Sequence, residues 1–395
     1  MRILHTADWH LGKTLEGRSR LPEQAEFLDE LAEIVEKEKV DAILMAGDAF
    51  DTVNPPAQAE QLFYESLSRL SNFGKRPMVV IAGNHDNPDR LSAASPLAGH
   101  QGIHLIGYPV SSVLEVPVPS AQEKMMVAAL AYPSEARLAE VLADGMDELL
   151  LRDEYDLRIR GLFEKMSSYF RKDTVNMAMS HIYVAGGSSS DSERPIEVGG
   201  AYTVAATSLP EAAQYTALGH LHRPQEIKRA KTIARYSGSP LAYSFSEAGY
   251  AKSVSIIEVE PGSKAAVSEI FLSSGKPLVK WKADGGLSQV YSWLNDGRDQ
   301  NAWVDLEIQL TDTLSIEEIQ NLRKNHQGLI HIRPIFALDK ERALAPRKER
   351  LPIDQLFANF YERQTNGAKP DEELLKLFME LVHEEEIERG EDVLL

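Results

Sequence analysis

Five short polar clusters punctuate this chain: Asp8-Trp9-His10, Gly47-Asp48, Gly83-Asn84-His85-Asp86, Ser180-His181 and Gly219-His220-Leu221-His222. Each follows an apolar run. Carboxylates, a carboxamide and imidazoles gain nothing at the end of a buried strand, where an unpartnered polar group costs roughly 1–3 kcal/mol. Brought together, they offer hard oxygen and borderline nitrogen but no sulfur. That donor set suits Mn²⁺, Fe²⁺ or Zn²⁺ rather than an all-oxygen calcium cage. The donors exceed what one ion needs, and the economical arrangement is two ions roughly 3.5–4 Å apart, bridged by one Asp. Each cluster alone has a plainer explanation. Gly-Asp is usually a turn, Asp-x-His recurs by chance, a lone His181 is more often a satisfied histidine, and "GHLH" could sit on an edge strand. The order of all five, each after a strand, is what points to a metal centre. His5, His100, His104, His326, His331 and His383 lack that setting and read as structural.

The elements that must position these groups are legible in the pattern. Segments 2–8, 41–48 and 77–84 read as buried strands. Between them run helices with apolar residues at helical spacing, Phe27, Leu28, Leu31, Ile34 and Val35 in one, Leu62, Phe63, Leu67 and Leu70 in the other. Strand and helix in alternation predict an α/β layered domain. In such sheets ligands bind beyond the carboxyl ends of the strands. Further strands are expected at 103–106, 125–131, 175–181, 215–220, 233–237 and 253–259, and a helix with a break over 136–172. "GGSSSDSER" (186–194) reads as a polar loop and "EPGSKAAVSEIFLSSGKP" as a connection into a new unit. Residues 277–340 alternate strand and helix cues in a βαββαβ-like order, a small α+β domain. A charged connector, 339–350, leads to two helices with apolar stripes, one on Ile353, Leu356, Phe357, Phe360 and Tyr361, the other on Leu374, Leu377, Phe378, Leu381 and Val382.

The 395 residues suit two or three domains. The net charge of −18 argues against a protein that simply coats nucleic acid, which needs Lys and Arg against phosphates. The excess is uneven: residues 351–395 hold twelve Asp/Glu against four Lys/Arg. The sequence has no cysteine, so disulfides and thiolate metal sites are excluded. No run approaches the roughly 18 apolar residues of a membrane span, and the first residues do not read as a secretory signal. The expected compartment is the cytoplasm.

The motifs "DWH", "GDAFD", "GNHD", "SH" and "GHLH", in that order, resemble the calcineurin-like metallophosphoesterases. "TADWHLGKTLEGRSR", "VAGGSSSDSERPIEVGG" (184–200) and "YSGSPLAYSFSE" (236–247) narrow the resemblance to the SbcD-type nucleases of bacterial DNA double-strand-break repair. The resemblance implies a layered β-sandwich flanked by helices (1–272), then an α+β capping domain (273–340), then a linker and C-terminal helices (341–395). It implies two Mn²⁺ ions, with Mg²⁺, Fe²⁺ or Zn²⁺ as substitutes. Asp8, His10, Asp48 and His222 would hold one ion. Asp48, Asn84, His181 and His220 would hold the other. His85 would act on the scissile phosphate, and Asp86 would orient His85 or a neighbouring ligand. Some relatives carry His where this chain has Asp51, which therefore receives no role. The implied activity is 3′-to-5′ exonuclease action on duplex ends and endonuclease action on single strands and hairpins, in repair, recombination and replication at the nucleoid.

The resemblance also implies partners. The C-terminal helices, unless their stripes pack on this protein itself, would bind the coiled coil of an SbcC-type ABC ATPase, which would supply the ATP site because no GxxxxGK[ST] occurs here. Helices near 57–72 and 88–98 would form a homodimer, with Leu62, Phe63, Leu67 and Leu91 as contributors unless they are ordinary core. Arg342, Arg347, Lys348 and Arg350 either touch phosphates or form a solvated linker. Trp281, Trp293 and Trp303 read as core rather than base-stacking platforms. Two rival functions stand beside the nuclease: a phosphodiesterase for small molecules or phosphoproteins, and a metal-free scaffold. A scaffold would be expected to lose ligands, and this chain keeps every one.

Overall fold

The computed structural model describes residues 1–138, 155–193 and 202–336, together with 357, 361, 362, 370, 374, 375 and 378. Two six-stranded sheets form its centre. The first runs, in spatial order, Ala266–Phe271, Ser253–Glu258, Arg2–Thr6, Ala42–Ala46, Met78–Ile81 and Ile103–Ile106. The second runs Gln225–Glu226, Ile233–Tyr236, Tyr215–Gly219, Val175–His181, Glu123–Leu130 and Leu114–Val118. The strands bearing the polar clusters are central and parallel. Thr6 is level with Met45, Ala46 with Ile81, and His181 with Gly219, so five carboxyl ends line up.

These strands are largely apolar because they are covered on both faces. Ala42–Ala46 is buried at every position. A shared core lies between the sheets, drawing Leu4, Leu44 and Val80 from one and Val127, Met177 and Tyr215 from the other. Helices Leu21–Lys37 and Ala57–Leu70 cover the first sheet through Phe27, Leu31 and Val35, and through Phe63, Leu67 and Leu70. Helix Tyr155–Ser167 covers the second with Ile159, Leu162 and Phe163. The layered α/β fold is therefore as expected.

Several local expectations change. The stretch after 260 is not only a connection: Ala266–Phe271 pairs antiparallel with Ser253–Glu258 as an edge strand. Leu114–Val118 is a further edge strand, and its Pro117 is tolerated because an edge need not donate on both sides. A small hairpin joins Thr14–Leu15 to Arg18–Ser19. The α+β segment is βαβαβ, with one strand fewer than the βαββαβ reading. It comprises Leu278–Ala283, Gly286–Asn295, Trp303–Leu310, Ile316–Asn325 and Leu329–Phe336. Trp281 and Trp303 are buried there as core. Phe63, Leu67 and Leu91 are also buried within this chain's own core, which removes them as contributors to a dimer surface.

By contacts the chain forms two compact units, Met1–Ile308 with Leu314–Arg333, and Gln309–Thr313 with Pro334–Leu395. In the second unit Phe357 stacks on Phe378, with ring centroids 4.0 Å apart. The two C-terminal stripes thus touch each other at this pair. Residues 139–154 of the expected broken helix, Arg194, the connector cations and Ile353, Leu356, Phe360, Leu377, Leu381 and Val382 lie outside the described residues. Among the described residues no helix is long and apolar enough to cross a membrane.

Candidate metal centre

The loops after the strands are locked together by backbone bonds. Asp8 N donates to Gly47 O (3.0 Å), His10 N to Asp48 O (3.0 Å) and Leu11 N to Ala49 O (2.9 Å). Asp8, His10, Asp48 and His220 all adopt positive φ, at 54°, 46°, 49° and 106°. Non-glycine residues held there cost about 1–3 kcal/mol each and cluster at functional sites. Glycine is needed where the strands approach. A Cβ on Gly83 would lie 2.0 Å from Asp48 Oδ1, and one on Gly219 would lie 1.8 Å from Ala46 O.

Asp8, His10, Asp48, His181, His220 and His222, all buried, converge on one spot together with the half-buried Asn84. His10 Nε2 and His222 Nε2 are 3.0 Å apart. Asp48 Oδ2 lies 3.5 Å from His10 Nε2 and 3.3 Å from His181 Nε2. Asn84 Oδ1 is 2.8 Å from His181 Nε2. The His220 ring is 5.4 Å from that of His181, and its backbone N–H donates to Asp8 Oδ1 (2.9 Å).

This donor set fits divalent cations. His181 Nδ1 lies 2.9 Å from Ala46 O and donates there, which aims Nε2 at the oxygens of Asp48 and Asn84. Asp8 Oδ2 and His10 Nδ1 are buried without hydrogen-bond partners. Asp8, His10 and His222 can place ligand atoms within 4.8 Å of one another, and so can Asp8, Asp48 and His181.

The electrostatics show a shortage of positive charge, with Asp8 and His181 both shifted towards keeping a proton. Burial raises Asp8 to about 7 and lowers His10 to about 3. Burial also opposes charge on His181, but Asp48 and Asp8 outweigh it and lift the ring to about 9. Burial holds His220 well below the usual imidazole range.

His85 stands beside this group, with ring centroid 4.7 Å from that of His10. Its Nδ1 lies 2.7 Å from Asp51 O, and its backbone N–H donates to Asp48 Oδ1 (2.9 Å). Asp86 grips the two loops. Its carboxylate accepts from Gly83 N (2.8 Å), Phe50 N (2.9 Å) and Ala49 N (3.1 Å). Asp51 accepts from Lys13 Nζ (2.7 Å) and approaches His10 Nδ1 at 3.5 Å.

The sequence reading missed Ser192, Tyr243 and Glu247. Tyr243 packs edge-on against His10 and His222, and Ser192 and Glu247 meet His222 Nδ1. The available signal was their place in the two Ser-rich stretches quoted above.

The pattern of the calcineurin-like phosphoesterase family matches residues 1–224. This chain is a calcineurin-like phosphoesterase. The phosphoesterase is 69% identical over 381 residues to the SbcD component of the nuclease SbcCD from Bacillus subtilis (strain 168), covering 96% of this chain and 97% of that one. It is 35% identical over 302 residues to the SbcD component of the same nuclease from Rhodobacter capsulatus, covering 72% of each. Within the phosphoesterases it therefore belongs with the SbcD proteins. A solved dimetal phosphatase from Danio rerio is similar at 12% identity and a TM-score of 0.34, covering 69% of this chain and 99% of that one.

Proposed function

We propose that this phosphoesterase is a Mn²⁺-dependent DNA nuclease. The observation that supports it is the convergence of Asp8, His10, Asp48, Asn84, His181, His220 and His222, in a chain close throughout its length to a protein named as part of a nuclease. In this reading Asp8, His10, Asp48 and His222 hold one cation. Asp48, Asn84, His181 and His220 would hold the second, with Asp48 common to both sets. When bound, such a pair activates water for attack on phosphorus and offsets charge on the phosphoryl oxygens.

The protein's own groups do the rest. His85 Nδ1 donates to Asp51 O, which fixes the ring, and His85 donates a proton or a hydrogen bond to the leaving oxygen. Asp86 is a positioning group: it ties the loop of Asp48 to the loop of Asn84 through three backbone N–H groups. The substrates are duplex ends, cut 3′ to 5′, and single strands or hairpins, cut internally. The segment around 278–336 caps the site, and the C-terminal helices bind a coiled-coil ATPase of SbcC type. A homodimer would use surface other than the buried Phe63, Leu67 and Leu91. Cytoplasmic action at the nucleoid follows from that substrate.

The test is digestion of linear duplex and hairpin DNA by purified protein with Mn²⁺. His85→Gln should lower turnover at least about 10²-fold, as loss of a general acid does, while Mn²⁺ stoichiometry stays unchanged. Undiminished cutting by that variant would remove the role of His85. Turnover of bis-p-nitrophenyl phosphate without any DNA cleavage would favour the small-molecule reading instead.

A further inference from the structure

Two stretches singled out in the sequence, 184–200 and 236–247, have no part in the hydrolysis just proposed. Their described residues meet behind His222. Ser192 Oγ lies 2.6 Å from His222 Nδ1 and donates to Glu247 Oε1. Glu247 Oε1 is itself 3.4 Å from Nδ1 and also accepts from Tyr243 N (3.2 Å). On its far side Glu247 pairs with Lys252, whose Nζ donates in addition to Ser239 Oγ (2.8 Å) and His222 O (3.0 Å). Glu193 Oε1 accepts the backbone N–H of His222 (2.8 Å). Ring, N–H and carbonyl of one residue are each held by a side chain.

The arrangement is costly. Glu247 is 0% exposed and Lys252 8%. Desolvating two charges consumes most or all of their attraction, and an apolar pair of the same volume would serve stability as well or better. Its value lies in direction. With Nδ1–H donating into Ser192 and Glu247, His222 is fixed as the tautomer whose Nε2 lone pair faces the centre, 3.0 Å from His10 Nε2. A carboxylate behind an imidazole also raises its basicity as a ligand. His181 is held differently, with its Nδ1 against the neutral carbonyl of Ala46. The two halves of the centre are thus built unequally: one histidine is backed by an anion, the other by a peptide dipole.

We propose that Glu247, kept in place by Lys252 and relayed through Ser192, is the positioning residue for His222. It makes the site containing His222 the tighter of two unequal cation sites. This rests on the two-cation reading of the centre.

The experiment is calorimetric titration of the metal-free full chain with Mn²⁺, alongside melting curves and the Mn²⁺ dependence of turnover. The wild type should bind in two steps. Glu247→Gln should weaken the tighter step about 10–100-fold, in line with losses on removing such partners elsewhere, and leave the other step unchanged. Turnover of the variant should recover at high Mn²⁺, so that the half-saturating metal concentration rises far more than kcat falls. Ser192→Ala, which keeps the ion pair, should weaken the same step by less. Two unchanged steps in folded Glu247→Gln, or equal weakening of both, would overturn the proposal. If Glu247→Gln does not fold, unchanged binding by Ser192→Ala overturns it and selective weakening supports it. A wild type that takes up no pair of ions would overturn the two-cation reading, and this proposal with it. Normal wild-type binding with insensitive variants would overturn this proposal alone.

Discussion

Two histidines five residues apart, His5 and His10, are both pushed down to about 3 by burial, for different reasons of place. His10 faces the other candidate ligands, with Nε2 3.0 Å from His222 Nε2. His5 lies in the core between the sheets, with Nδ1 2.9 Å from Tyr215 Oη. The consequence for His5 is acid sensitivity. The unfolded chain takes up its proton as pH falls through about 6.5, whereas the folded protein resists until about 3. Its share of stability is complete above pH 6.5 and is lost progressively below it. His5→Gln should flatten the acid limb of a urea-denaturation series between about pH 6.5 and 4 by up to about 1.4 kcal/mol per pH unit. An unaltered slope would place the acid sensitivity elsewhere. At this scale the sequence was most readable where chemistry contradicts environment: Asp8, Asp48, Asn84 and the three distal histidines stood out as polar endings to apolar runs. Glu247, Ser192 and Lys252 carried no such contrast. They sit in polar loops, and only folding brings them to His222.

The strands that could be read from sequence are those covered on both faces. Ala42–Ala46 and Met78–Ile81 are buried throughout, so composition alone marks them. Ala266–Phe271 escaped because an edge strand with most of its side chains in water mixes Ser and Glu with its apolar residues, and its pairing with Ser253–Glu258 is a tertiary choice. The same logic explains the short hairpin at 14–19. The turns beyond the central strands are tighter than any pattern reveals. Gly83 faces Asp48 so closely that a methyl group would lie 2.4 Å from its backbone nitrogen. Gly83→Ala should therefore displace the loop of Asp48, lower stability by about 1–3 kcal/mol in denaturant unfolding, and reduce Mn²⁺ affinity together with turnover. A variant with wild-type stability and binding would show that the loop yields freely.

For the whole molecule, the centre draws on both sheets: Asp8, His10, Asp48 and Asn84 come from the first, His181, His220 and His222 from the second. Cations bound there would stabilise only the folded protein, by about 2.7 kcal/mol per site at a free concentration one hundred times Kd. Adding Mn²⁺ to chelator-treated protein should raise Tm by several degrees, and Asp48→Asn should abolish most of that rise. A Tm indifferent to Mn²⁺ would contradict binding at this place. The layers touch where His181 Nδ1 reaches Ala46 O and where Gly219 leaves no room for a side chain. Anything that parts the sandwich along that seam must also tear the ligand cage in two. The escape rate of a trapped ion into excess chelator would then act as a clock for breathing between the layers, slowing or quickening with mutations far from any ligand.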